Sequence, residues 1–329
     1  MDLSTRPLIV VLGASGLLGT AVARELSARP VRLRLVGRRR ATVPAGCRAQ
    51  VEVRAADLAD GVADAVADAD AVVHLVARMT GPTSWRVADG DREAERITAG
   101  LARDLVAAVR AQRRERPPVV LFAGAVSQAG TALAGRLDGT ERDEPVTAYD
   151  RHKLAAQHAL EAATADGVLR AVTLRMTTLF GQGTGHDRGV VAAMVRRALA
   201  GRPLTMWHDG SVRRDLLCVD DAARAFTAAL DSVDALAGRH WLVGTGRPVR
   251  IDALFGAIAA AVAERTGHPP VPVVSQPPDL PSLPTDLLDF DLDPTRFHAA
   301  TGWRARVGLA DGLRTAVAAE QRRTAAAAR

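Results

Sequence analysis

Short aliphatic runs alternate with helical segments along the first half of the chain. Residues 8–12 form a continuous aliphatic run, which is typical of a strand buried on both faces of a parallel sheet. A glycine-rich turn follows, and residues 17–28 then carry the apolar spacing of a helix. This strand–turn–helix unit is the first of several, so the pattern predicts an α/β fold with a doubly wound parallel sheet.

The alternation continues to about residue 175. The later strands are predicted at 31–36, 51–53, 71–76, 119–122 and 168–174. The helices between them are predicted in the Ala/Asp-rich stretch before the fourth strand, at 93–113 and at 148–164. We therefore expect a Rossmann-like dinucleotide-binding domain over residues 1–175.

The second half of the chain is less regular. Helices are predicted at 190–200, 220–230, 251–266 and 309–319, and the proline-rich stretch 267–284 is predicted as an extended loop. The tail after Glu320 is expected to fray. We expect residues 176–329 to form a smaller substrate-binding lobe, with an approximate boundary and interleaved segments.

The composition narrows the classes of function. The chain has 329 residues, of which 48% are hydrophobic and 24% charged, as is ordinary for a globular protein. Aromatic residues make up 3%, and the net charge of +6 includes no dense basic block, so we expect no nucleic-acid partner. No apolar run approaches the ~20 residues that span a bilayer, and Cys47 and Cys218 form no metal or disulfide motif. The expectation is a cytoplasmic protein with no membrane partner and no metal.

The turn after the first strand carries a nucleotide-binding pattern. Gly13, Gly16 and Gly19 are spaced GxxGxxG, with Ser15 and Leu17 between them. Such glycines permit a tight turn, close approach of a pyrophosphate, and close packing of helix on strand, while the helix N-terminus attracts the phosphates. Because the turn joins a strand to a helix, we predict that these five residues bind a dinucleotide.

The end of the second strand favours NADP(H) over NAD(H). An acidic residue there would bind the ribose 2′-hydroxyl, but this chain has Gly37 followed by Arg38 and Arg39. Guanidinium groups suit a 2′-phosphate, although a solvated basic loop is the other interpretation. Asp57 and Leu58, after the third strand, are predicted to contact adenine, or Asp57 caps a helix.

A YxxxK motif supplies the candidate chemistry. Tyr149 and Lys153 are one helical turn apart and therefore project from the same face, and Tyr149 is the only tyrosine in the chain. A neighbouring ammonium lowers the pKa of a phenol by stabilising the phenolate. Tyr149 is thus predicted to protonate a carbonyl oxygen while a nicotinamide delivers hydride.

These motifs together resemble the extended short-chain dehydrogenases, which include nucleotide-sugar epimerases, dehydratases and ketoreductases. Residues 72–77, 174–181 and 214–221 resemble further family segments, with Met176 where proline is usual. The resemblance implies that Leu75 and Ala77 line the nicotinamide site. It also implies that Arg214 binds the substrate diphosphate, although Arg214 bracing its neighbour Asp215 is the alternative.

Within this group, residues 81–86 and 204–210 resemble the 4-ketoreductases of actinobacterial deoxysugar pathways. The resemblance implies NADPH-dependent reduction of the 4-keto group of a nucleotide-activated sugar, a dTDP-keto-deoxyhexose. Trp85 and Trp207 are candidate substrate contacts or ordinary packing residues. It also implies a homodimer that pairs the helices at 93–113 and 148–164. The alternative is that the apolar faces of these helices are buried in the core against the sheet.

One departure from the family concerns the loop after the fifth strand. Relatives carry Ser or Thr there, but the aligned positions are Gly124 and Ala125, and Ser127 follows two positions later. Ser127 is predicted to supply the second hydrogen bond to the substrate carbonyl, or else to cap the loop.

Three other activities, and an inactive sensor protein, are the alternatives to a ketoreductase. The acid–base carboxylate pair of a dehydratase is missing, and a 3,5-epimerase–reductase would need cysteine at Ser127. A 4-epimerase that retains NAD is disfavoured by the basic end of the second strand. The absent hydroxyl gives weight to an inactive NADP-binding sensor, against which the intact Tyr149–Lys153 pair argues.

Overall fold

The computed structural model describes residues 6–78, 87–130, 135–182, 189–277 and 286–327. Its strands are β1 Leu8–Leu12, β2 Arg32–Gly37, β3 Gln50–Ala55, β4 Ala71–His74, β5 Val119–Ala125, β6 Arg170–Met176, β7 Thr178–Phe180, β8 Leu204–Met206, β9 Arg213–Arg214, β10 Leu216–Cys218, β11 Arg239–Val243, β12 Val249–Arg250 and β13 Val273–Ser275. Its α-helices are α1 Leu17–Ser27, α2 Arg92–Glu95, α3 Leu101–Ala111, α4 Ala148–Ala165, α5 Val190–Leu199, α6 Val219–Asp231, α7 Val233–Leu236, α8 Ile251–Thr266, α9 Thr295–Thr301 and α10 Leu309–Ala327.

Seven parallel strands form the central sheet, in the order β11-β6-β5-β4-β1-β2-β3. Aliphatic side chains of these strands pack against α1 and α6 on one face, and against α3 and α4 on the other. The strand order reverses between β1 and β4, and α/β sheets of this type bind ligands at that point. The predicted Rossmann-like fold is therefore confirmed.

The smaller lobe is built around α5, α8 and α10, whose apolar side chains share a second core. Its short strands pair as β7 with β10, β8 with β13, and β9 with β12. The chain returns to the central sheet between these elements, because β11 pairs with β6 although it lies after the predicted boundary at residue 176. The boundary itself stays a prediction.

Three predicted elements differ in the structure. The Ala/Asp-rich stretch before β4 forms turns and no helix, because Gly61 and Asp68 adopt positive φ angles of 149° and 59°, which a helix does not accommodate. The helix predicted at 93–113 is interrupted by a π-helical turn at Arg96–Gly100. The predicted loop at 267–284 contains β13, and its residues 278–284 lie outside the described part of the chain.

The tail predicted to fray is helical, since α10 continues through Ala327. Glu320, 5% exposed, pairs with Arg196 of α5 and with Arg323, and Gln321 accepts a hydrogen bond from Arg265 of α8. These contacts hold the last turns of α10 against the lobe. Among the described residues, no helix is long and apolar enough to cross a membrane.

The apolar positions of α3 and α4 bear on the predicted dimer. Leu101, Leu105 and Val109 of α3 and Ala156 and Leu160 of α4 are buried in the core beneath the sheet. These residues therefore pack in the protein core, which was the alternative to a dimer interface in the sequence analysis. The homodimer itself stays a prediction.

Candidate active site

A cleft of about 1260 Å³ runs along the carboxyl ends of the sheet strands and beneath the smaller lobe. It brings together every predicted site residue that the structure describes. Trp85 lies outside the described residues. The predicted residues that line the cleft are Gly13, Ser15, Gly16, Leu17, Gly19, Arg38, Arg39, Asp57, Leu58, Leu75, Ala77, Ser127, Tyr149, Lys153, Trp207 and Arg214.

The glycine turn lies at one end of this cleft and has the geometry that the sequence predicted. Gly13 has φ = 86°, and its N–H donates to the carbonyl oxygen of Val36 at 2.9 Å. A Cβ on Gly19 would lie 2.1 Å from the carbonyl oxygen of Gly13, so only glycine allows α1 to pack this closely. The first turn of α1 contains no acidic side chain, so its free N–H groups and positive dipole end are available to an anion.

The end of β2 borders the same turn. Gly37 is buried, and a Cβ there would lie 3.0 Å from Oγ of Ser15, whereas Arg38 and Arg39 are exposed at the rim. Asp57 accepts a hydrogen bond from the N–H of Ala59 at 3.0 Å, so it stabilises a local turn while lining the cleft. The predicted helix cap at Asp57 is not found, because a turn replaces the helix.

The YxxxK pair enters the cleft from the start of α4. Lys153 is 3% exposed, and its Nζ donates to the carbonyl oxygen of Ala123 at 2.6 Å. The same Nζ lies 4.7 Å from the centre of the Phe122 ring and 5.9 Å from the centre of the Tyr149 ring. Helix α4 therefore fixes the ammonium between strand β5 and the phenol.

Burial sets the electrostatics of this pair. It lowers the pKa of Lys153 to about 7, because desolvation penalises the ammonium. It raises the pKa of Tyr149, and the nearby carboxyl of Asp150 raises it further. The sequence predicted a lowered pKa for Tyr149, and this is not found, because desolvation of the phenolate raises the pKa.

The next feature is the surroundings of Gly124 and Ala125, the two positions at the end of β5 where relatives carry a hydroxyl. A Cβ on Gly124 would lie 2.9 Å from both Oε1 of Gln128 and Cγ2 of Thr173, so a side chain there would require these two neighbours to move. Ala125 lines the cleft, and its N–H donates to Oε1 of Gln128 at 2.7 Å. Neither of the two positions aligned with the family hydroxyl, Gly124 and Ala125, therefore carries a hydroxyl in this chain.

Ser127 lies in the 3₁₀ turn that follows, and its hydroxyl hydrogen-bonds the carboxyl of Asp150. Asp150 was not singled out from the sequence, although it lies inside the YxxxK motif. It precedes Lys153 by three residues and therefore shares its buried helix face, which is the one signal the sequence carried.

Arg214 and Trp207 line the same cleft and belong to the smaller lobe. The guanidinium of Arg214 stacks 4.4 Å from the centre of the Phe290 ring and donates to the carbonyl oxygen of Asp286 at 3.0 Å. Burial lowers the pKa of Arg214 to about 10. The carboxylate of Asp215 accepts hydrogen bonds from the Thr245–Gly246 turn, which holds it in place.

His74, at the end of β4, predicts a pH-dependent stability. Its side chain is fully buried beside Phe122, and burial, with a smaller effect of Lys153, lowers its pKa to about 3. Between about pH 6.5 and 3, His74 is therefore protonated in the unfolded chain but neutral in the folded protein. The free energy of unfolding falls as the pH falls through this window. The expected slope is at most about 1.4 kcal/mol per pH unit.

Urea unfolding of the wild type and of His74→Asn from pH 7 to pH 4 checks this. The substitution costs stability at pH 7 through lost packing, but the difference is expected to shrink as the pH falls. A difference that stays constant over this range would contradict the assignment.

The fold and the site together define the class of protein. The chain belongs to the NAD-dependent epimerase/dehydratase family, whose model matches residues 9–244. Its cofactor is accordingly a nicotinamide dinucleotide. The resemblance to the family as a whole is thus confirmed, and the ketoreductase subgroup within it stays a prediction.

Three relatives add detail. The chain is 39% identical to a UDP-glucose 4-epimerase of Mycolicibacterium smegmatis over 39% of its own length and 37% of the relative's. It is 26% identical to a dTDP-L-rhamnose 4-epimerase of Burkholderia thailandensis over 68% and 72% of the two chains. It is 30% identical to a 2′-dehydrokanamycin reductase of Streptomyces kanamyceticus over 37% of each. Two of the three matches thus span little more than a third of the relative.

Among solved structures, MoeE5 in complex with UDP-glucose and NAD superimposes with a TM-score of 0.79 at 25% identity. The match covers 96% of this chain and 99% of MoeE5. The shared architecture therefore extends through the smaller lobe.

Proposed function

We propose that this protein reduces the 4-keto group of a nucleotide-activated deoxysugar with NADPH. The observation that carries the proposal is the end of β2, where Gly37 is followed by Arg38 and Arg39 at the rim of the cleft. An enzyme that releases NADP⁺ after each turnover is a net reductase, whereas a 4-epimerase re-oxidises its own intermediate with retained NAD. The cofactor preference therefore separates the two activities.

The chemistry requires one hydride and one proton. Bound NADPH, which the glycine turn and Arg38 would hold, would supply the hydride to the carbonyl carbon. Tyr149 donates its phenolic proton to the carbonyl oxygen, and Lys153, which the helix holds near the phenol, stabilises the resulting phenolate. Overall, the ketone, NADPH and one proton would be converted to the alcohol and NADP⁺. Solvent then replaces the proton that Tyr149 donated.

The residues of the smaller lobe that line the cleft support a nucleotide-sugar as the substrate. Arg214 places a half-buried guanidinium in the cleft that the catalytic pair also lines, which suits a diphosphate, and Trp207 with Phe290 adds aromatic surface. The relatives include enzymes named for UDP-glucose and dTDP-L-rhamnose, and one reductase. The thymidine nucleotide and the deoxyhexose are part of the proposal.

The second candidate is a nucleotide-sugar 4-epimerase, which the 39% identity to the mycobacterial enzyme favours. The test incubates the purified protein with NADPH and a panel of dTDP-4-keto-deoxyhexoses, following NADPH absorbance and identifying products by NMR. Loss of NADPH with formation of one alcohol supports the reductase. No NADPH consumption, together with inversion of UDP-glucose at C4 without added reductant, would replace it with the epimerase.

Arg38→Ala is expected to weaken NADPH binding about tenfold to hundredfold, because a paired 2′-phosphate contributes roughly 1.5–3 kcal/mol. Binding of NADH, which lacks that phosphate, is expected to change little. Isothermal titration of both cofactors measures this, and Arg40→Ala, exposed on the same loop beyond the cleft lining, is the matched control. Equal affinity of the wild type for NADPH and NADH would overturn the preference.

A further inference from the structure

A buried carboxyl group lies beside the catalytic tyrosine. Asp150 is 1% exposed and lines the cleft. Its Oδ1 is bonded to the hydroxyl of Ser127 and its Oδ2 to the hydroxyl of Thr147. No salt bridge to Asp150 is found within the described ranges, and the adjacent Arg151 pairs with Asp89 instead.

Burial governs the state of this carboxyl. An ionised carboxylate in an apolar site is costly unless a cation or several hydrogen bonds compensate it. Here the two hydroxyls lower the pKa of Asp150 and the charge of Arg151 lowers it further, but desolvation is the larger effect and the pKa is raised. The surroundings therefore favour the neutral acid more than an exposed aspartate would.

The charge state of Asp150 decides what Ser127 presents to the cleft. A hydroxyl has one hydrogen. If Asp150 is ionised, that hydrogen is donated to the carboxylate, and Ser127 faces the substrate with lone pairs only. If Asp150 is neutral, its own O–H donates to Oγ of Ser127, and the serine hydrogen is released toward the cleft. Thr147 donates to Oδ2 in both cases.

The second arrangement suits the reduction. A reduced carbonyl develops negative charge on its oxygen, and Tyr149 is one donor to it. Gly124 and Ala125, the two positions aligned with the hydroxyl of relatives, carry none. The nearest described hydroxyl on that loop is Ser127, two positions further along.

We propose that Asp150, as the neutral acid bonded to Ser127, is a positioning residue that turns the Ser127 hydroxyl toward the substrate carbonyl and so replaces the hydroxyl missing at the end of β5. This inference rests on the proposed ketone reduction. Asp150 transfers no proton in the step: the hydride comes from NADPH, the proton comes from Tyr149, and Ser127 donates a hydrogen bond that shortens as charge develops.

The kinetic test compares three variants on one keto-sugar. Asp150→Asn keeps the shape and offers an amide N–H to Ser127 and a carbonyl to Thr147, as the neutral acid does, so kcat is expected to stay close to the wild-type value. Ser127→Ala and Asp150→Ala are each expected to lower kcat by about 10²-fold, the loss typical of one oxyanion donor, with little change in KM. The double variant is expected to equal Ser127→Ala, because both changes remove the same donor.

The matched control is Asp89→Asn, an exposed carboxyl that contacts the same helix through Arg151. It is expected to leave kcat unchanged. Thermal unfolding and NADPH titration of each variant separate a folding defect from the kinetic effect. Wild-type kcat in Ser127→Ala or in Asp150→Ala, multiplied losses in the double variant, or a loss in Asp150→Asn as large as in Asp150→Ala would each overturn the proposal.

A substrate-free measurement keeps this inference separate from the proposed function. Infrared difference spectra of wild type minus Asp150→Asn at pH 7 are expected to show the carbonyl band of one protonated carboxylic acid. A carboxylate band in its place would overturn the positioning role while leaving the reductase intact. Failure of the wild type to oxidise NADPH with any keto-sugar would instead remove the proposed function.

Discussion

Tyr149→Phe is expected to lower kcat for keto-sugar reduction by about 10³-fold or more, the largest effect among these substitutions. General acid catalysis alone contributes about 10²–10⁴-fold, and Tyr149 is also a donor to the developing oxyanion. Phenylalanine keeps the ring near Lys153, so NADPH affinity and the unfolding temperature are expected to change little. Single-turnover rates with saturating NADPH measure the loss.

Lys153 makes this test sharper, because it is bonded to the carbonyl of Ala123 independently of the phenol. The variant therefore removes the acid without removing the buried amine. His158→Gln, exposed on the same helix, is the control and is expected to retain wild-type kcat. A Tyr149→Phe protein that reduces the sugar at a rate within tenfold of wild type would show that another group is the acid.

Gly19→Ala is expected to have the second largest effect, on both folding and cofactor binding. The new Cβ would lie 2.1 Å from the carbonyl oxygen of Gly13 and 2.8 Å from Cα of Ala14, and both are backbone atoms that a side-chain rotation cannot move. Helix α1 must shift away from the turn. Overpacking of this kind costs typically 1–3 kcal/mol and more when backbone has to move.

The matched control for Gly19→Ala is Gly256→Ala in helix α8, where nothing lies within 4 Å of the added Cβ. This change is expected to stabilise the protein by about 0.5–1 kcal/mol, because alanine is the better helix former. Thermal unfolding and dinucleotide titration are the measurements. Wild-type dinucleotide affinity in Gly19→Ala would refute the role assigned to the turn.

Local sequence was sufficient for six of the seven strands of the central sheet and for the glycine turn after β1. The aliphatic run of β1 specifies a strand buried on both faces, and Gly13 and Gly19 specify the turn that follows, since each requirement is met within a few residues. Tyr149 and Lys153 were likewise paired by helical periodicity alone. These features needed no knowledge of distant contacts.

Long-range packing settled the remaining features, because no local pattern encodes it. The turns before β4 replaced a predicted helix where Gly61 and Asp68 take positive φ angles, and α10 stays helical to Ala327 because Glu320 meets Arg196 of another helix. The contact of Ser127 with Asp150 joins positions 23 residues apart, and burial of that carboxyl raises its pKa. The residues of the YxxxK motif were thus visible in the chain, but their protonation states follow from desolvation, which exists only once the cleft has formed.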